Sequence, residues 1–244
     1  MAGDVRVETS PVGPVVCPPG ASEAVILYLH GDRQLSNASA SAHPTAVQLA
    51  LDSDAVVVCC GYRASFPYAL EDVHAGYEYC RSRSGGQVAV AGERLGAGLA
   101  AALLLRLRDL EAAPPQCTVL ISALLDLTLE APSVSLNAAA DPTFDLAELR
   151  RRTAHYAAGA ALTNPLLSPV YGNLHGLPPI QLLAVGNDPL LDDSLAFAAR
   201  AARSGVAVDL RIRPDGTGPG TETTAAMTEF IRSWIPADRT AHSA

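Results

Sequence analysis

The sequence predicts an α/β fold: a mainly parallel sheet with helices on both faces. Three observations carry this. Short apolar, strand-like runs alternate with stretches of helical periodicity along most of the chain. The strand-like runs are apolar throughout, as strands buried on both faces are. The 244 residues, 49% hydrophobic and 17% charged, suffice for one sizeable core.

The elements follow in order. Ala24–Gly31 ("AVILYLHG") is a buried strand ending in a turn, and Asp54–Tyr62 ("DAVVVCCGY") is a second apolar run ended by glycine. Phe66–Arg83 has helical periodicity, with Pro67 near its start. Gln87–Gly92 is a third strand, and Leu95–Glu111 a helix apolar nearly all round. Cys117–Ala123, Pro179–Asp188 and Val206–Arg213 are further strands. Between the first two of these, residues 124–178 form a long, proline-containing, cap-like insertion with one helix around Asp145–Ala157. It is placed over the carboxyl ends of the strands, where such sheets bind ligands. Ser194–Gly205 is a helix stopped by glycine, and Thr223–Ile235 is the last helix. No repeat or low-complexity linker divides the chain, so residues 1–244 are expected to form one domain.

Composition excludes several function classes. The formal net charge of −8 argues against a nucleic-acid partner. The run Arg150-Arg151-Arg152 reads as a solvated helix face. All 17 basic residues are arginine, so no lysine is present to form a Schiff base. Cys17, Cys59, Cys60, Cys80 and Cys117 show neither metal nor redox spacing and read as small buried hydrophobes; neighbours in a strand, Cys59 and Cys60 point to opposite faces. No metal or cofactor is expected. The first residues carry neither a basic region nor an apolar run, and "AAALLLRLRDL" is too short and charged to span a bilayer. A soluble cytoplasmic protein without a membrane partner is expected.

"VILYLHGDRQLSN", "GYRASFPYALEDV", "VAVAGERLGAGLAAALLLRLRD", "LLDLTLEAPSVSLNAAADP" and "VGNDPLLDD" are collinear segments that together resemble the hormone-sensitive-lipase-like branch of the α/β-hydrolases, the fold-3 bacterial esterases. The resemblance runs from about Val25 to Ile235. It implies an α/β-hydrolase fold with a reduced cap, and a homodimer paired through the last strand and helix.

The family uses a Ser-Asp-His triad and backbone N–H groups that hold the oxyanion. The resemblance puts Arg94 at the serine position, between the retained Gly92 and Gly96. Asp188 matches the acid, whereas the histidine position falls at Gly218; the next histidine is His242. In the oxyanion turn His30-Gly31 remain, followed by Asp32 and Arg33. Arginine stays protonated and cannot act as a nucleophile.

These departures lead to the expectation of a degenerate, non-hydrolytic enzyme on a small, mostly apolar metabolite. A cyclase, isomerase or lyase fits, with a receptor or regulatory pseudo-hydrolase as the alternative. Arg94, Asp188 and Asp32 are the candidate catalytic residues; His30, Gly31, Arg33, Leu95, Tyr62 and Tyr156 are the candidate ligand-binding ones. Arg94, at the amino end of a helix, needs an anion beside it: Asp188 first, or Glu93 or Asp32. His30 is expected to bond to backbone. His43 and His155 are read as structural.

Overall fold

A computed structural model describes residues 5–31, 44–140, 144–215 and 221–235. Its strands are β1 (Arg6–Ser10), β2 (Gly13–Cys17), β3 (Val25–Leu29), β4 (Val56–Cys59), β5 (Val88–Glu93), β6 (Cys117–Ile121), β7 (Ile180–Val185) and β8 (Val208–Arg213). The helices are α1 (Pro44–Ser53), α2 (Tyr68–Ser84), α3 (Leu95–Asp109), α4 (Pro132–Leu136), α5 (Leu146–Ala157), α6 (Leu191–Arg203) and α7 (Thr221–Trp234).

The strands form one sheet in the order β1-β2-β4-β3-β5-β6-β7-β8. The pairs from β4 through β8 are parallel, whereas β1 and β2 form an antiparallel hairpin added onto β4. After β3 the chain steps outward to β4, then returns past β3 to β5 and continues the other way. That reversal between β3 and β5 is the switch point at which open α/β sheets form their binding crevice. The registers Leu29↔Gly92 and Glu93↔Ile121 bring the carboxyl ends of β3, β5 and β6 level with one another.

Each face of the sheet carries its own core, as alternating side chains require. Leu70 and Val73 of α2, Leu103 of α3, and Phe197 and Ala201 of α6 are buried on one face with Leu27, Val90 and Leu120. Ala46 and Leu49 of α1 and Met227 and Ile231 of α7 are buried on the other with Ile26, Val57 and Val119. Adjacent Cys59 and Cys60 lie in opposite cores. In α3, 12 residues of 15 are buried. Such a helix has no solvent stripe, which is why its sequence shows little amphipathic pattern.

The β1–β2 hairpin and α1 were not anticipated. β1 is largely exposed and β2 contains Gly13 and Pro14, so neither shows the continuous apolar run that marks the inner strands. α6 begins at Leu191 rather than Ser194, so Asp192 and Asp193 fill its first turn, where the helix dipole favours acids. The segment joining β6 to β7 holds α4, α5 and a short 3-10 turn at Pro169–Tyr171. The α5 N-cap is Asp145, whose carboxylate accepts from the Glu148 amide at 3.0 Å. Arg151 and Arg152 pair with Glu148 on the solvent side, as a solvated face should.

Candidate active site at the strand–helix elbow

Arg94 joins β5 directly to α3, with φ 53° and ψ −120°. A non-glycine residue in so sparsely populated a region costs about 1–3 kcal/mol and persists only where its surroundings impose it. Here they do. The Arg94 amide donates to the Ile121 carbonyl at 3.0 Å, and its carbonyl accepts from Gly98 at 3.2 Å and Leu124 at 3.1 Å. The flanking glycines allow the close approach: a Cβ on Gly96 would stand 2.0 Å from the Leu29 carbonyl oxygen, and one on Gly92 2.5 Å from that of Gly96.

The expected partner, Asp188, is the one the fold brings to Arg94. Nη1 of Arg94 lies 2.9 Å from Oδ1 and 2.7 Å from Oδ2 of the carboxylate. The arginine side chain is 13% exposed and the aspartate 5%. Oδ1 of Asp188 also accepts from the Leu190 amide at 2.9 Å. The carboxylate compensates a cation placed where the α3 dipole is already positive. Removing either partner would strand a charge in a nearly dry place.

Glu93 is buried, and its carboxylate meets Nδ1 of His30. Nδ1 of the His30 ring faces a carboxylate, because β3 and β5 are neighbours and their ends align. Burial first, and then the Glu93 carboxylate, push the nearby Tyr28 phenol well above its ordinary value.

Gly31 follows His30 and packs on the elbow, where a Cβ would stand 2.9 Å from the Leu95 amide nitrogen and 2.6 Å from that of Gly96. Leu95, the first residue of α3, is buried. Tyr62 is buried and its hydroxyl donates to the His30 carbonyl, so it holds the turn. Tyr156 is buried in α5, where burial raises its phenol, and its carbonyl accepts from the Phe66 amide at 2.8 Å. None of its described hydrogen bonds reaches Arg94. Asp32, Arg33, His43, Gly218 and His242 lie outside the described residues.

Two further carboxylates matter here. The sequence offers Glu93 only as a partner of Arg94. Asp193, which the sequence does not single out, is 3% exposed. Its Oδ2 accepts from the Leu125 amide at 2.8 Å and the Asp126 amide at 2.9 Å, yet burial pushes its carboxyl up to about 7. The only signal in the sequence was a pair of acids at a helix start, which reads equally well as exposed capping charge.

Among the described residues, no group of three or more His, Cys, Asp or Glu side chains could hold a metal ion. Among them too, no helix is long and apolar enough to cross a membrane.

A family profile described as alpha/beta hydrolase fold matches residues 26–217. An acetyl-hydrolase of Streptomyces hygroscopicus is 36% identical over 197 residues, covering 78% of this chain and 66% of that protein. Esterase LipI of Mycobacterium tuberculosis is 32% identical over 213 residues, covering 81% and 65%. The chain therefore spans just under two thirds of the length of these relatives. Among solved structures, EstE5 soaked with p-nitrophenyl butyrate has a TM-score of 0.87 at 29% identity, covering 96% of this chain and 86% of that one. A hormone-sensitive lipase from a metagenome library also has a TM-score of 0.87, at 30% identity, covering 96% and 87%.

These relatives are named as hydrolases, and they overturn the expectation of a cyclase, isomerase or lyase and of its pseudo-hydrolase alternative. That expectation took the departures at Arg94, Gly218 and Asp32 as deciding the reaction class.

Proposed function

Since the chain belongs to the alpha/beta hydrolase fold family, we propose that it hydrolyses small carboxylic esters at the elbow, with water as the nucleophile. The ester class follows from the relatives' names, which include an acetyl-hydrolase and an ethyl acetate hydrolase of Pseudomonas putida. The observation that carries the water route is the Arg94 guanidinium on a strained elbow, bonded among the described residues through Nη1 alone. Nε and Nη2 remain as donors for the carbonyl oxygen of a substrate.

In this reading the chain is a divergent member of its family, without the serine and histidine of the usual triad, so no acyl-enzyme forms. Arg94 and the Leu95 amide stabilise the oxyanion, a role in which preorganised donors lower the barrier most. Asp188 fixes the guanidinium. Water adds to the carbonyl carbon and its proton passes to the His30–Glu93 pair, which stands at the same strand ends. As the C–O bond breaks, that proton returns to the departing alkoxide. Tyr62, whose hydroxyl donates to the His30 carbonyl, holds the turn on this side of the site.

Hydrolysis of p-nitrophenyl acetate tests the proposal. The protein should turn it over without inhibition by a serine-directed reagent, and Arg94→Ala should lower kcat/KM by at least about a hundredfold, the usual size of a lost oxyanion donor. Turnover no faster than that of Arg94→Ala would overturn it.

The edge strand β8 exposes Leu210 and Ile212. A second copy of the chain is the proposed occupant of this edge.

A further inference from the structure

The turn that carries Asp188 is fastened from outside its own strand and helix. Asn137, just past α4, donates through Nδ2 to the Asp188 carbonyl at 2.9 Å and to the Gly186 carbonyl at 3.2 Å. Ser133 donates through Oγ to the Pro189 carbonyl at 2.8 Å and accepts from the Asp192 amide at 3.0 Å. Its own amide donates to Oδ2 of Asp192 at 2.8 Å. The carbonyls of Gly186, Asp188 and Pro189 and the amide of Asp192 thus find partners in the segment between β6 and β7. Ser133 is buried and Asn137 half-buried, so water competes weakly for these bonds.

We infer that Asn137 is a positioning residue for Asp188 and, through it, for Arg94, so that the 124–178 segment sets the geometry of the elbow. The two bonds from Nδ2 straddle Asn187 and fix the backbone on both sides of it. A shift of that backbone moves the Asp188 carboxylate, and with it the only described partner of the guanidinium. Small displacements of this kind matter because oriented groups lose effect steeply with misplacement. The consequence for turnover rests on the reading of the elbow as a hydrolytic site; the positioning itself does not.

The test uses the full chain and two variants, Asn137→Ala and the same-sized Asn137→Asp, which replaces the donor by an oxygen facing two carbonyls. Leu136→Ala, on the exposed neighbour, is the control. Hydrogen exchange of the Arg94 guanidinium, followed by ¹⁵N NMR, should quicken about tenfold in both variants and not in the control, the scale of one lost hydrogen bond. Hydrolysis of p-nitrophenyl acetate should fall about tenfold in kcat with KM within twofold, because binding surfaces are untouched and only the orientation of Arg94 is lost. Unchanged exchange at Arg94 in both variants would overturn the inference. Absence of hydrolysis by the unmodified protein would count against the hydrolytic reading alone, since the exchange measurement still decides the role of Asn137. Far-ultraviolet dichroism and a melting curve separate misfolding from mispositioning, and Asn137→Asp covers the case in which Asn137→Ala does not fold.

Discussion

At the scale of single residues, charge and burial decide what the site side chains do. Arg94 and Asp188 are held as a pair because neither tolerates isolation in so enclosed a place. Asp193 shows the opposite balance. It accepts two amides, but burial outweighs them and its carboxyl rises to about 7. The folded chain therefore keeps a proton on Asp193 between about pH 4 and 7, a range in which an unfolded aspartate has released it. A raised acid of this kind favours the fold at low pH and costs stability as pH rises through its folded value. Asp193→Asn should remove that slope. Between pH 4 and 8, urea unfolding of the variant should lose a fall in stability of up to roughly 4 kcal/mol. An identical pH profile for the two proteins would refute the assignment.

At the scale of elements, the elbow is a packing solution as much as a chemical one. β5 must end and α3 begin within one residue, and α3 must lie against the end of β3. Gly96 permits this, because any side chain there would enter the Leu29 carbonyl. Gly96→Ala should therefore destabilise the protein by about 3 kcal/mol, beyond any loss of activity, by forcing a backbone shift in a close-packed layer. Chemical denaturation at neutral pH measures it, and a loss under 1 kcal/mol would mean that the elbow adjusts without strain.

At the scale of the whole molecule, the sheet has two different margins. On one side β1 and β2 form a hairpin with an exposed outer strand. On the other, β8 leaves Leu210 at 36% and Ile212 at 46% exposure. An edge of unpaired backbone groups and apolar side chains is a template for another chain. The proposed pairing of two copies predicts a dimer in sedimentation velocity at micromolar concentration, and a monomer for Leu210→Lys with Ile212→Lys. A monomeric parent protein at that concentration would end the proposal.

Residue order alone determined the fold class, the parallel strands β3 to β8 and most of the large helices. Uninterrupted apolar runs and helical periodicity are local signals, and local signals survive without knowledge of neighbours. It also put Arg94 at the elbow and named Asp188 as its first partner, the pair the fold brings together. Sequence did not disclose that His30 faces Glu93, that Asp193 is buried, or that Ser133 and Asn137 hold the Asp188 turn. Those pairs are separated by 63, 67, 56 and 51 positions along the chain. Only the tertiary structure decided them, because the order and register of strands, rather than distance in sequence, set which polar groups meet and which lose their water.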